Sequence, residues 1–290
     1  MPEYAQKTKL YNHVDFLTDL RPYRNYKNLE SLEDAAKYIE YHFEQYGLSP
    51  RSQSWRAKGN SYDNVIASYN AHKAKKLIVG AHYDVFGDQP GADDNASAVA
   101  GLIETARLIA EDQPELDYGI EFVAYCLEEP PFYATRNMGS YVHAQSLSES
   151  QADVIGMICY EMIGYFSDEP NSQNFPHTSL EQIYPDTANF IMVVGVKANT
   201  AFNQKIYKHM SADAKIDVQI IEFPDKDGLA GMSDQQSYWR FGYNALMIND
   251  TSFMRNPHYH EKTDTIDTLV FDKKTAVGDA CYQAIVNLGD

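Results

Sequence analysis

Cysteine is scarce in this chain, and what there is forms no pattern. Cys126, Cys159 and Cys281 are the only three among 290 residues, each inside an apolar stretch. An odd count without regular spacing excludes a disulfide framework, and no C-x-x-C pair exists to make a zinc knuckle. They read as small buried hydrophobes. Basic residues are also in deficit, 24 against 41 acidic, for a formal net charge of -17. A surface of that sign repels nucleic acid and anionic membranes and concentrates cations. No apolar run is long enough to span a bilayer. The opening Met-Pro-Glu-Tyr-Ala-Gln-Lys lacks the apolar core of a secretory leader, so the expected compartment is the cytoplasm, or an exported one if a leader has been removed. Internal repeats, low-complexity tracts and Pro/Ser linkers are missing too. With 44% hydrophobic and 13% aromatic residues, disorder is excluded.

Strand-like and helix-like segments alternate. Strands are expected at residues 64–69, 76–82, 120–126, 154–160, 190–195, 218–223 and 243–248. A helix opens at Ser31-Leu32-Glu33-Asp34, with Leu32, Ala35, Ala36, Ile39, Phe43 and Tyr46 on one face until Gly47 stops it. Further helices are expected at 96–110 and 273–288, and long polar loops at about 164–189 and 224–235. Near-continuous apolar strands imply a sheet covered on both faces. The expected fold is one α/β domain over residues 1–290, three layers of α/β/α around a mixed, largely parallel sheet. About twenty N-terminal residues form an extension or helix, and no accessory domain is expected.

The chemistry collects at strand ends. The run Leu77-Ile78-Val79-Gly80-Ala81 ends in His82-Tyr83-Asp84, and Gly91-Ala92-Asp93-Asp94-Asn95 follows. A histidine that binds metal needs a partner on its other ring nitrogen, and Asp84 is placed to be one. Later strands end in Glu128-Glu129 and Glu161, and a late loop carries His258-Tyr259-His260. In open α/β sheets such ends converge on one crevice. His82, Asp94, Glu129, Glu161 and His260 form a borderline-hard donor set that suits zinc. Five ligands exceed the need of one tetrahedral ion that keeps a water, and suffice for two ions if a carboxylate bridges. His258 competes with His260, and Asp93 with Asp94. His13, His42, His72, His143, His177 and His209 have no metal-like context.

Six pieces together resemble the co-catalytic di-zinc aminopeptidases, whose wider clan includes glutaminyl cyclases, glutamate carboxypeptidases and the transferrin receptor ectodomain. They are HYD at 82–84, PGADDNAS at 90–97, EEPPFYATRNMGS at 128–140, EMIGY at 161–165, SDQQSYW at 233–239 and RNPHYHEKTDT at 255–265. They stand in family order and span the chain from about residue 20.

The resemblance implies two zinc ions bridged by Asp94, with His82 and Glu161 completing one site and Glu129 and His260 the other. It implies that Glu128 is the general base acting on a bridging hydroxide, that Asp84 orients His82, and that Tyr259 donates to the tetrahedral intermediate. It also implies a cis peptide at Asp94–Asn95. Glu161 stands where many relatives have aspartate, and Gln235 where histidine is common, which bears on substrate contact. The implied activity is removal of N-terminal residues from a peptide or aminoacyl substrate. Two alternatives stand beside it: a one-zinc glutaminyl cyclase and a non-catalytic binding module. Tyr83, Phe86, Tyr165, Phe166 and Phe253 are candidate pocket walls. The sequence carries no signal for oligomeric state.

Overall fold

The structure, a computed structural model, describes residues 4–212 and 215–289. Helices α1 (Lys7–Asp19) and α2 (Leu29–Gln45) lead into strands β1 (Arg51–Ala57), β2 (Asn60–Tyr69) and β3 (Lys75–His82). Then come α3 (Ala98–Asp112), β4 (Gly119–Tyr125), α4 (Gly139–Glu149) and β5 (Asp153–Glu161). A short α5 (Thr178–Glu181) interrupts the first long loop before β6 (Phe190–Val196), α6 (Thr200–Met210) and β7 (Asp217–Phe223). The chain ends with α7 (Gln235–Arg240), β8 (Ala245–Asn249) and α8 (Phe271–Val286).

The strands form one eight-stranded sheet in the order β1-β2-β4-β3-β5-β8-β6-β7. Its centre, β4-β3-β5-β8, is parallel, as is β6-β7, while β1-β2, β2-β4 and β6-β8 pair antiparallel. Alternation along each strand feeds two cores. Leu77, Val79 and Ala81 of β3 join α1, α2, α3, α6 and α8 on one face. Ile78 points to the other, where α4 and α7 contribute Ala144, Leu147, Tyr238 and Trp239. The architecture is the expected α/β/α sandwich.

Three local expectations are corrected. Strand β1 was not anticipated, because Arg-Ser-Gln-Ser-Trp-Arg-Ala offers almost no apolar alternation and lies at the sheet edge. Helix α2 begins at Leu29, before Ser31, which sits inside it and donates its hydroxyl to the Pro22 carbonyl. Helix α3 begins only at Ala98, because residues 92–97 form a wider irregular turn in which Asp94 and Asn95 are non-helical.

The topology also places the site. From β3 the chain crosses through α3 to β4 on one side, then through α4 to β5 on the other. Strand β3 is thus a switch point, where loops diverge and leave a crevice at the carboxyl ends.

Candidate active site

His82 closes β3, Glu161 closes β5, and Glu128 and Glu129 follow the end of β4 by three and four residues. Because these strands run parallel in register, their ends meet at one edge of the sheet. The 92–97 turn brings Asp94 across the crevice, and the loop after β8 brings His260.

Asp94 stands between the two imidazoles, with Oδ1 3.4 Å from His82 Nε2 and Oδ2 3.1 Å from His260 Nε2. Glu161 Oε2 is 3.3 Å from His82 Nε2, and Glu129 Oε1 is 3.5 Å from His260 Nε2. Three groups of possible ligands result among the described residues, His82–Asp94–Glu161, Asp94–Glu129–His260 and His82–Glu128–Glu129, with donor atoms within 4.8 Å in each; the first two share Asp94. Glu128 Oε2 lies 3.9 Å from His82 Nε2 beside them. The competing residues are engaged elsewhere. Asp93 accepts from the Gly164 N–H at 3.0 Å and the Asn256 amide at 2.8 Å, and His258 Nδ1 faces the Thr263 hydroxyl at 2.9 Å.

The electrostatics of the cluster follow from its burial and crowding. Burial, then the neighbouring Asp94, pushes the Glu129 carboxyl up to about 8. Burial raises Glu128 well above the carboxylate range, with Glu129, Glu161 and Asp234 adding to it. Burial opposes charge on His82, yet Glu161, Asp84 and Asp94 overcome it and lift the imidazole well above its ordinary value. His260 reaches about 10, as contacts with Asp94 and Glu129 outweigh its own burial. The buried oxygens Asp94 Oδ1 and Glu129 Oε1 have no hydrogen-bond partner. Crowded buried carboxylates with unclaimed lone pairs need positive charge among them. Two imidazoles and three carboxylates are a donor set that fits zinc.

A scaffold of second contacts holds these groups. Asp84 accepts the Glu128 and Glu129 N–H groups through its two oxygens, at 3.1 Å each. Its Oδ1 stands 3.5 Å from His82 Nδ1, and its backbone carbonyl is nearer, at 3.2 Å. Asp84 therefore fixes the strand-end turn as well as facing the histidine. The Ser233 hydroxyl donates to Glu161 Oε2 at 2.6 Å, and Asn95 Nδ2 lies 3.3 Å from the same atom. The Asp94–Asn95 bond is cis, as expected.

Two scaffold residues escaped the sequence reading. Asp264 accepts the N–H groups of Asp93 and Asp94 at 2.9 and 3.1 Å; in the sequence it is only one residue of the 255–265 piece. Arg24, fully buried, donates to the carbonyls of Tyr83, Pro90 and Gly91 and so ties together the segments that carry His82 and Asp94. A lone arginine outside every motif gives no local signal for that role.

The aromatic pocket walls are largely corrected. Tyr83 is buried and donates to the Asp63 carbonyl, Phe166 is buried in the core, and Tyr165 packs edge-on to His258. Phe86 stacks on the His260 ring at 4.2 Å, as Tyr259 does at 3.9 Å. Tyr83 borders a separate cavity against α2 and β2, while Phe253 lines the apolar one beside the carboxylates. Tyr259 borders both that cavity and the smaller one over the carboxylates. Gln235 is buried, with its amide donated to the Ala230 carbonyl at 2.8 Å, so it stands behind the site wall.

Residues 64–285 match the sequence profile of "Peptidase family M28". The chain belongs to peptidase family M28. It is 37% identical to the uncharacterized protein YfbL of Escherichia coli K12 over 99% of this chain and 90% of that protein. Leucine aminopeptidase 1 of Arthroderma otae is 28% identical over 72% of this chain, which spans 53% of that longer protein. Among solved M28-like folds, the LapA aminopeptidase of Legionella pneumophila superposes with a TM-score of 0.77 at 21% identity, covering 99% of this chain and 73% of that one. The glutaminyl cyclase of Bacteroides thetaiotaomicron superposes with a TM-score of 0.74 at 19% identity, covering 99% of both chains. At such identities the two solved structures establish the shared M28 fold.

Proposed function

We propose that this M28 protein is a two-zinc aminopeptidase. The observation that carries the reading is the pair of ligand clusters sharing Asp94, with the Glu128 carboxylate beside them. His82 and Glu161 would hold one ion, Glu129 and His260 the other, and Asp94 would touch both. Zinc bound there would lower the pKa of water from 15.7 to about 7 and polarise a peptide carbonyl. Glu128 takes the proton of the attacking water and returns it to the leaving amine. Asp84 keeps that carboxylate and Glu129 in place through their backbone N–H groups. Tyr259, stacked on His260 at the rim of the carboxylate cavity, is positioned to face the carbonyl oxygen of a bound substrate. The acidic cavity suits a free α-amine, which is what restricts cleavage to the first residue. The chain works as a single catalytic domain, a reading supported by its one continuous sheet.

The alternative on the same scaffold is a glutaminyl cyclase with one ion, and the second complete cluster, Asp94–Glu129–His260, favours hydrolysis over it. The test is zinc content after loading, paired with turnover of an aminoacyl-anilide and an N-terminal glutaminyl peptide. Two ions and anilide cleavage are expected. One ion with a cyclised product would install the cyclase, and no ion with no turnover would leave a binding module.

A further inference from the structure

The two imidazoles of the site are held in different ways. His82 sits at a strand end, and its Nδ1 faces the Asp84 carbonyl at 3.2 Å and the Asp84 carboxylate at 3.5 Å. His260 comes from a loop, at a backbone φ of 58° that residues with a side chain adopt at a cost. Its polar contacts run through Nε2, to Asp94 at 3.1 Å and Glu129 at 3.5 Å. Among the described residues nothing does for its Nδ1 what Asp84 does for His82. What meets the ring instead is aromatic. Phe86 stacks on it with centroids 4.2 Å apart and planes 7° from parallel, and Tyr259 stacks at 3.9 Å and 18°. Two rings so near one imidazole on the same face would have to touch. Among the described residues Phe86 and Tyr259 make no ring contact with each other, so they enclose His260 from opposite faces.

We propose that Phe86 is a positioning residue. With Tyr259 it clamps the His260 imidazole in the plane that aims Nε2 at Asp94 and Glu129, a task that Asp84 performs for His82. The inference rests on the two-zinc reading above and assigns a further residue to that same site.

Both jaws of the clamp are fixed by the fold. The Val85 N–H donates to the Arg24 carbonyl at 3.1 Å, and the Val85 carbonyl accepts from the Asn25 amide at 3.3 Å, so the residue before Phe86 is pinned twice. On the other side, Phe253 backs the Tyr259 ring at 5.7 Å. The turn that carries His260 is braced by the His258 N–H on Asn256 Oδ1 and the Glu261 N–H on the His258 carbonyl, each at 2.9 Å. Parallel stacking resists tilt of the imidazole but leaves rotation within its own plane, and the contacts to Asp94 and Glu129 settle that rotation. The stack also favours the ligand state. An imidazole that shares its lone pair with a cation becomes electron-poor, and the negative faces of two aromatic rings then attract it more strongly. A branched aliphatic side chain at position 86 would fill much of the space without supplying a flat face.

The test compares the full chain with Phe86→Leu and with Phe86→Tyr, which keeps a flat ring. The first readout is the proton spectrum of metal-free protein carrying isotope-labelled histidine. The His260 ring protons, assigned by their loss in His260→Gln, should lie upfield between two aromatic faces. They should move downfield in Phe86→Leu and stay near the parent position in Phe86→Tyr. The second readout is zinc affinity by competition with a calibrated chelator. The parent should take two ions. Phe86→Leu should weaken one of them about 10–100-fold, the usual loss when a partner behind a ligand is removed, and leave the other unchanged. Phe86→Tyr should bind both as the parent does. A general loss of packing would lower both affinities together, so a change confined to one ion separates positioning from structure. Unmoved His260 signals in Phe86→Leu, affinities unchanged or lowered equally for both ions, or no rescue by Phe86→Tyr would overturn the proposal. A parent that takes fewer than two ions would sink the two-zinc reading instead, and the ring signals would still decide whether Phe86 clamps His260.

Discussion

Glu128 and Glu129 are chain neighbours whose N–H groups share one acceptor, Asp84, yet their carboxylates go to different places. Glu129 Oε1 reaches His260 and one ligand cluster, while Glu128 Oε2 stays 3.9 Å from His82 and borders the cavity. Their variants should therefore fail differently. Glu128→Gln keeps size and reach but accepts no proton, so turnover should fall by about 10²–10⁴-fold with zinc content intact. Glu129→Gln should lose zinc and recover part of its activity in excess metal. Metal content and anilide turnover of both proteins check this, and near-normal turnover of Glu128→Gln would remove it from the chemistry. Asp264 supports a further prediction. It receives the N–H groups of Asp93 and Asp94 from 170 residues away in sequence, so Asp264→Ala should weaken zinc binding about 10–100-fold while the ligands themselves remain. Competition with a calibrated chelator measures it, and unchanged affinity would make Asp264 a bystander. The candidate ligands were singled out because each sits in a compact motif, three of them (His82, Glu129 and Glu161) at or just after a strand end. The contacts of Asp264 and Arg24 were not legible, since they are backbone and side-chain contacts that only the folded chain creates.

At the scale of elements, the site depends on how closely β3 and β4 pack. Gly80 lies two residues before His82, and a Cβ there would meet the Tyr125 ring of β4 at 2.3 Å. The ring cannot move freely, because its hydroxyl is 2.6 Å from that of Tyr238, which in turn is 2.7 Å from His143 Nδ1. Gly80→Ala should destabilise the fold by about 1–3 kcal/mol through overpacking. Adding Tyr125→Leu should restore part of the loss, giving a coupling that independent sites would not show. Denaturant melts of the two single variants and the double variant measure it, and simple additivity would disprove the steric account. This glycine was visible in the sequence, but its partner was not. Apolar runs predict strands well when both faces are buried, which is why β3 to β8 were anticipated to within a few residues. β1 was missed because an edge strand needs little apolar patterning, and α4, α6 and α7 because they are short, 11, 11 and 6 residues.

Across the whole molecule, the deficit of positive charge and the buried carboxylate cluster act together. The net charge of -17 raises the local concentration of cations, and the crevice groups donors that could hold them. The order of the six motifs made the family legible from sequence. The apolar cavity beside the carboxylates was not, since its lining is gathered from segments spread between residues 161 and 259. Burial and mutual repulsion raise Glu128, Glu129 and Glu161 against the pull of His82, so on the proposed two-zinc reading the metal-free fold carries an electrostatic penalty that zinc would relieve. Binding to the folded state alone adds RT ln(1 + [L]/Kd), about 4 kcal/mol when free zinc is a thousandfold above Kd. Chelation should therefore lower the Tm, and readdition of zinc should restore it in a concentration-dependent way. A variant with both Glu129→Gln and Glu161→Gln should be less sensitive to chelator, because it has lost ligands and part of the repulsion at once. Thermal melts of the parent and this double variant, with and without chelator, read the linkage directly. An identical Tm for the parent in zinc and in chelator would mean that the cluster holds its charges without metal, and the two-zinc reading would fall with it.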